Sequence, residues 1–499
     1  MASKHRARRL FLSGLALISL LGCNFPISLA APTARPGEQA APTAAGFTPG
    51  PGQTALPPLP TIAPAPEQAT LTPPDPQRPR YDLQVALFPN SRQAEVSERI
   101  IYTNRHSAAL SELVLVAPPN RYADAFTLRS IRWAGGEGEA SYRLSGPLLT
   151  VSLPQPLETG GTVGLQLDYQ LILPAASGAF GSTPRQLNFG DWYPFVAAIS
   201  PEGTWLAFPP APLGEYSVND LSDFKVSVDV RQEGGWQLAG SAIPRQQGSL
   251  YTFELTNARS FSWSAGLEMV TLVQQFGDVT LSAFVFAEHS AAGEMALYHM
   301  SRAIEVFSDL YTPYAHPSLT LIEATMGDGM EYDGMFFLSS NFFADYQQGI
   351  IANNLMVLTV HETAHQWWYA RVGSDPYNEP WLDEALCTYS ELLFMERIYP
   401  DLVNWWWQFR VNYFGPAGYV NLPVNAYGSF RQYVNAVYLN GANFLEELRY
   451  RAGDEGFRRF LKEYARRYDG RRATAADFRA LLEEINPADY SDIYQRYFR

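Results

Sequence analysis

From Tyr81 onward the chain alternates between apolar and polar positions. In "YDLQVALF", Tyr81, Leu83, Val85 and Leu87 share one face. "TVGLQLDYQLIL" sets Val163, Leu165, Leu167, Tyr169 and Leu171 against Gly164, Gln166, Asp168 and Gln170. "FKVSVDV" repeats the pattern with Phe224, Val226, Val228 and Val230. A period of two, broken by Pro/Gly turns, marks antiparallel strands with one wet face. An antiparallel β domain is therefore expected over residues 81–268. After about residue 269 the period lengthens. Residues 290–310, 350–370 and 382–399 read as helices, and the apolar runs 319–323 and 335–338 as short strands. Phe457, Phe460, Leu461, Tyr464 and Ala465 follow helical spacing. Thr474 to Asp477 has the spacing of a capping box. These segments predict a second, α+β and mainly helical domain over residues 269–499, in a chain without internal repeats.

The first 80 residues are of another kind. Lys4, Arg6, Arg8 and Arg9 precede an apolar run from Leu10 to Leu21, which ends in Gly22 and Cys23. The run is shorter than the roughly 20 residues a bilayer span needs, and suits a signal peptide over residues 1–22. "LLGC" resembles the lipobox of bacterial lipoproteins. That resemblance implies cleavage before Cys23, acylation of its thiol and amine, export, and anchoring to the bacterial cell membrane with the body of the protein outside the cytoplasm. The other reading is an uncleaved signal anchor with an incidental cysteine. Residues 23–80 hold fifteen of the chain's 37 prolines among Ala, Thr, Gly and Gln, a tether that leans to polyproline II. At about 3.1 Å per residue it reaches on the order of 170 Å when fully extended.

Composition narrows the class. The 499 residues are 46% hydrophobic, enough for a packed core, and too many for a single one. Net charge is −14, and −18 once the four basic residues of the signal are gone. Nucleic acid is excluded as a partner, because phosphate neutralisation needs clustered Lys and Arg. Two cysteines cannot build a disulfide framework. Cys387 reads as a small buried hydrophobe.

Chemistry concentrates in "VHETAHQWW", which holds two of the chain's seven histidines. On a helix, His361 and His365 share a face and can bind one metal ion, with Glu362 beside the first of them. Trp367 and Trp368 read as core. Taken alone, the pair is either a metal site or two neighbouring surface histidines.

Downstream, "EPWLDEALCTYSE" places Glu384 after eighteen intervening residues. Here the chain resembles the zinc aminopeptidases related to aminopeptidase N and leukotriene-A hydrolase, which have HExxH, eighteen residues, then Glu in a "WLNEG"-like context. The resemblance implies one Zn²⁺ per chain held by His361, His365 and Glu384, with Glu362 as general base. Asp383 and Ala385 depart from the family pattern. "DGMEY" is similar to the family's "GAMEN" strand, which implies that Gly329, Met330 and Glu331 bind substrate and that Glu331 grips its free α-ammonium. Asp328 stands where the family has a glycine. "YLNGANFLEEL" matches a family segment at Tyr438, Gly441 and Ala442, with Asn440 in place of lysine. That match implies that Tyr438 donates a hydrogen bond to the oxyanion. Glu391 lies two helical turns after Glu384, either as acceptor for a ligand histidine's second N–H or as a solvated glutamate.

"DWYPFVAAI", "PPAPLGEYS" and "ARSFSWSAG" look like the family's N-terminal saddle domain. The implied fold is a β saddle-like domain followed by a thermolysin-like zinc peptidase domain. The family's larger members continue into a helical C-terminal domain, so a short form with a more open cleft is expected. The implied activity is removal of N-terminal residues from peptides with a free amine. An endopeptidase on the same zinc and a catalytically silent surface-binding protein are the competing readings.

Overall fold

The alternating runs assemble into a seven-stranded sheet. Its order is Arg245–Gln247, Leu250–Ala258, Ser222–Val230, Arg80–Phe88, Gln93–Thr103, Thr162–Ile172 and Phe126–Trp133. The structure, a computed structural model, describes residue 75 and residues 77–499 except 136, 137, 212, 232 and 233. The signal peptide, Cys23 and nearly all of the tether lie outside the described residues. Tyr81, Leu83, Val85 and Leu87 all point into the core, as do Phe224, Val226, Val228 and Val230.

One pairing departs from the antiparallel expectation. Arg80–Phe88 and Ser222–Val230 run parallel, with Leu83 opposite Val226. Parallel neighbours need a long crossover. The chain between them supplies it, and contributes on the way to two smaller antiparallel sheets, the second completed by strands that follow Val230. One is Phe195–Val196, Leu110–Val116, Leu148–Leu157 and Tyr142–Ser145. The other is Gln237–Gly240, Trp263–Gly266, Gln186–Phe189 and Phe180–Thr183.

The second domain opens with a mixed five-stranded sheet, ordered Met269–Phe276, Val279–Phe286, Ser318–Ala324, Met335–Ser339 and Gly329–Tyr332. The last of these is an edge strand, antiparallel to its neighbour. Helix α1 (Ser290–Leu310) packs on this sheet and against α2 (Asn354–Ala364), which in turn packs on α3 (Trp381–Ile398). Helices α4 (Gly441–Ala452), α5 (Asp454–Arg467) and α6 (Ala475–Ile485) complete the body. Phe457, Phe460, Leu461, Tyr464 and Ala465 form the buried stripe of α5, and Thr474 and Asp477 form the capping box of α6.

Helix α2 is shorter than the expected 350–370. Asn353 starts it by accepting a hydrogen bond from the Met356 amide at 2.9 Å. It stops after His365 because the chain turns back through Tyr369, whose φ is 127°. The turn lets Gly373 pair with Arg472, and lets Gln366 bond the Gly334 amide and the Tyr332 carbonyl. Trp367 and Trp368 are buried beneath it, their indole N–H groups donating to the Thr312 carbonyl and the Ser390 hydroxyl.

One apolar core runs through both domains. A buried guanidinium pins them together. Arg259, from the β domain, donates to the carbonyls of Asn219, Ala370 and Arg471 at 2.8–3.0 Å.

Candidate active site

Helices α2 and α3 meet at the chemistry. His361 and His365 lie one turn apart with ring centroids separated by 4.9 Å. Asp383 and Glu384 occupy the first turn of α3, where the helix dipole favours carboxylates. Glu384 Oε2 lies 3.3 Å from His361 Nε2 and 3.6 Å from His365 Nε2. Zinc bonds of about 2.0–2.1 Å at tetrahedral angles set neighbouring donor atoms about 3.3 Å apart, so these three atoms fit one ion. His365 Nε2 is also buried without a protein hydrogen-bond partner. All three residues are at most 3% exposed.

The electrostatics point the same way. Burial works against a charged His361, yet its hydrogen bonds to Glu384 and Glu391 outweigh it and hold the pKa up at about 10. Burial lowers the pKa of His365, with Glu331 and Glu384 opposing. For Glu384, burial is outweighed by both histidines and Tyr438, which keep the carboxyl below its ordinary range. The cluster attracts positive charge at the point where the two Nε2 atoms converge.

Each histidine is oriented through its other nitrogen. His361 Nδ1 lies 2.8 Å from Glu391 Oε1, and Glu391 is buried against the histidine and not solvated. Arg410 grips Glu391 with two bonds of 2.7 and 2.9 Å, and Trp406 Nε1 adds a third at 2.8 Å. Both come from a π-helical turn, Trp406–Val411, of a kind often found at functional sites. His365 Nδ1 lies 2.7 Å from Asp383 Oδ1. In the sequence Asp383 looked like a mere departure beside a ligand; its position, one residue before Glu384, was the available signal.

Tyr438 lies in a second π-helical turn, Asn435–Asn440. Its hydroxyl donates to Glu384 Oε1, and its ring stacks on His361 at 5.9 Å. The approach depends on small residues. A Cβ on Gly441, the first residue of α4, would sit 2.5 Å from the Ala385 Cβ, so the junction of this turn with α4 is in contact with α3.

The edge strand supplies the rest. A Cβ on Gly329 would fall 2.0 Å from Glu362 Oε1, so only glycine leaves room for that carboxylate. Asp328, in place of the family's glycine, accepts the Gly329 amide at 2.9 Å. Neither oxygen of Glu362 or of Glu331 has a protein hydrogen-bond partner among the described residues, though both side chains are buried. Glu331 Oε1 lies 3.8 Å from His365 Nδ1. Burial first, then Glu384 and Asp383, push its pKa up to about 8 against the pull of His365. Met330 and Glu331 line a cavity at the domain boundary. Glu215 reaches it from the β domain, with carboxylate oxygens of Glu215, Glu331 and Asp383 all within 4.8 Å of one another. Sequence reasoning missed Glu215, using its segment "PPAPLGEYS" only as a sign of fold.

Because Asp383 fixes the tautomer and ring orientation of His365, Asp383→Ala is expected to weaken zinc binding by about 10–100-fold. Competition with a chromophoric chelator measures this. Unchanged affinity would show that the contact does not support the metal.

Residues 295–497 match the Peptidase family M1 domain. The chain is 25% identical over 219 residues to aminopeptidase M1-B of Oryza sativa subsp. japonica, covering 41% of this chain and 25% of that one. It is 28% identical over 182 residues to aminopeptidase N of Lactobacillus delbrueckii subsp. lactis, covering 33% and 21%. The match thus spans about a quarter or less of these relatives' length. The structure superposes on an M1 zinc metallopeptidase from Deinococcus radiodurans with a TM-score of 0.59 and 19% identity, covering 85% of this chain and 95% of that one. A two-domain M1 zinc metallopeptidase mutant bound to L-tryptophan gives 0.60 and 20%, covering 85% and 95%. These structural likenesses show the shared two-domain fold, and residues 295–497 of the second domain are similar to the M1 peptidase family domain.

Proposed function

We propose that the protein is a zinc-dependent aminopeptidase that removes N-terminal residues from peptides at the cell surface. The observation that carries the reading is Glu331, a buried carboxylate without a protein hydrogen-bond partner, beside the ligand His365. A substrate α-ammonium satisfies it, and sets the first peptide bond at the metal ligands. A blocked amine leaves it buried and unpaired, which is costly.

Zinc held by His361, His365 and Glu384 supplies Lewis-acid polarisation and eases deprotonation of water. Glu362 takes the proton of the attacking water and hands it to the leaving amine. Burial raises its pKa, with His361 opposing and nearby acids adding. Tyr438 exchanges its bond to Glu384 for one to the carbonyl oxygen as negative charge develops there. A donor of this kind is worth roughly 2.7–4 kcal/mol. Asp383 and Glu391 keep the ligand rings in register.

The deciding experiment compares fluorogenic aminoacyl amides with their N-acetyl forms, using wild type and Glu362→Gln, with zinc content measured in each. Wild type is expected to cleave only the free-amine forms. Glu362→Gln should keep zinc and lose about 10²–10⁴-fold in turnover. Equal cleavage of the acetylated forms would assign an endopeptidase. A protein with no zinc and no chelator-sensitive activity would be a binding module.

We further infer that the chain is exported and held to the membrane by lipid on Cys23, from the basic, apolar and "LLGC" succession at its start. Among the described residues no helix is long and apolar enough to cross a membrane. Labelled palmitate is expected in the wild-type protein and not in Cys23→Ala. Equal labelling of both would sink the assignment.

A further inference from the structure

The cavity beside Glu331 is more acidic than the chemistry above requires. Three carboxylates line it, Glu331 from the catalytic domain and Asp191 and Glu215 from the β domain. Among the described residues the lining has one cation, Arg121, whose charge acts on Asp191 without a direct hydrogen bond to it. Its guanidinium donates to the hydroxyls of Tyr122 at 2.7 Å and Tyr216 at 3.3 Å, and lies over both rings. Neither Asp191 nor Glu215 forms a hydrogen bond or an ion pair among the described residues. The same lining holds a buried hydroxyl without a partner, that of Tyr332. It rests where Gly190 leaves space, since a Cβ there would fall 2.2 Å from the oxygen.

Charge counting then constrains the ligand. Three acids against Arg121 leave two negative charges. The substrate's α-ammonium answers one of them. The second calls for another cation on the same molecule, close to the first. In a peptide held by its α-ammonium, the group nearest to that ammonium is the side chain of the first residue. Burial sharpens the demand, because an unpaired buried carboxylate is costly while an ion pair formed there is strong.

We propose that this cavity receives the side chain of the N-terminal residue and selects arginine or lysine, through Asp191 and Glu215, with the Tyr332 hydroxyl as a further hydrogen-bonding group. The proposal rests on the aminopeptidase reading and adds its substrate class.

The test uses the zinc-loaded protein and four fluorogenic amides, arginyl, citrullinyl, leucyl and glutamyl, each also in N-acetyl form. Citrulline keeps the shape of arginine and removes its charge. The arginyl amide is expected to exceed the citrullinyl amide by about tenfold or more in kcat/KM, and to exceed leucyl and glutamyl. Asp191→Asn and Glu215→Gln should each shrink the arginyl-to-citrullinyl ratio. Equal rates for arginyl and citrullinyl amides in the unaltered protein would overturn the proposal, as would a preference for leucyl or glutamyl. In either case hydrolysis confined to free-amine forms would leave the aminopeptidase reading standing. Cleavage of acetylated forms at the same rate, or of none of the four amides, would defeat both.

Discussion

Two imidazole nitrogens and one carboxylate oxygen converge in a water-poor interior, and the surrounding architecture serves to hold them there. Three donors 3.3–3.6 Å apart do not come together for apolar reasons. Without positive charge between them the arrangement is costly, as the raised proton affinity of His361 and the strained carboxyls nearby attest. A divalent ion converts that cost into binding energy, so folding and metal capture are coupled.

The two histidines are supported unequally. Glu391 shares its charge with Arg410 and Trp406, so the carboxylate that orients His361 is itself largely neutralised. Asp383 has no such cation in hydrogen-bonding contact among the described residues, and burial and Glu384 push its pKa up. Two π-helical turns serve this region, one delivering Trp406 and Arg410, the other Tyr438. The wider turn changes which residues share a face, and here it brings polar groups to bear where an α-helical register would aim them differently.

Much of this was legible in the sequence, and the limits have physical causes. Helix α1 follows its apolar periodicity because one face packs on a sheet and on α2. The strands around Tyr81 and Phe224 follow theirs because one face is dry. The parallel pairing of those two strands was invisible, since period-two patterning reports burial and not the direction of a neighbour. Helix α2 was read too long because the aromatic residues after His365 continue an apolar run, while the turn that ends it is set by distant partners at residues 334 and 472. Within the site, local spacing pointed to the two histidines and resemblance to Glu384, Glu331 and Tyr438. Asp383 and Glu215 escaped because their roles exist only once separate segments meet. Nothing local tells Glu215 from the chain's other acids.

Arg259 has a consequence for how the molecule can change over evolutionary time. By tying three backbone carbonyls from both domains, it holds the β domain at a set distance from the zinc half. Asp191 and Glu215 sit on connecting segments of the β domain, whereas every candidate metal ligand and the general base belong to the other half. Part of the cavity wall and the candidate zinc site are therefore carried on separately mutable stretches of chain. On the proposed reading, substitution in the two connecting segments redirects which peptides are accepted while the three candidate zinc ligands stay in place. A rigid seam of this kind lets that part of the wall vary among descendants while the zinc-site geometry stays constant.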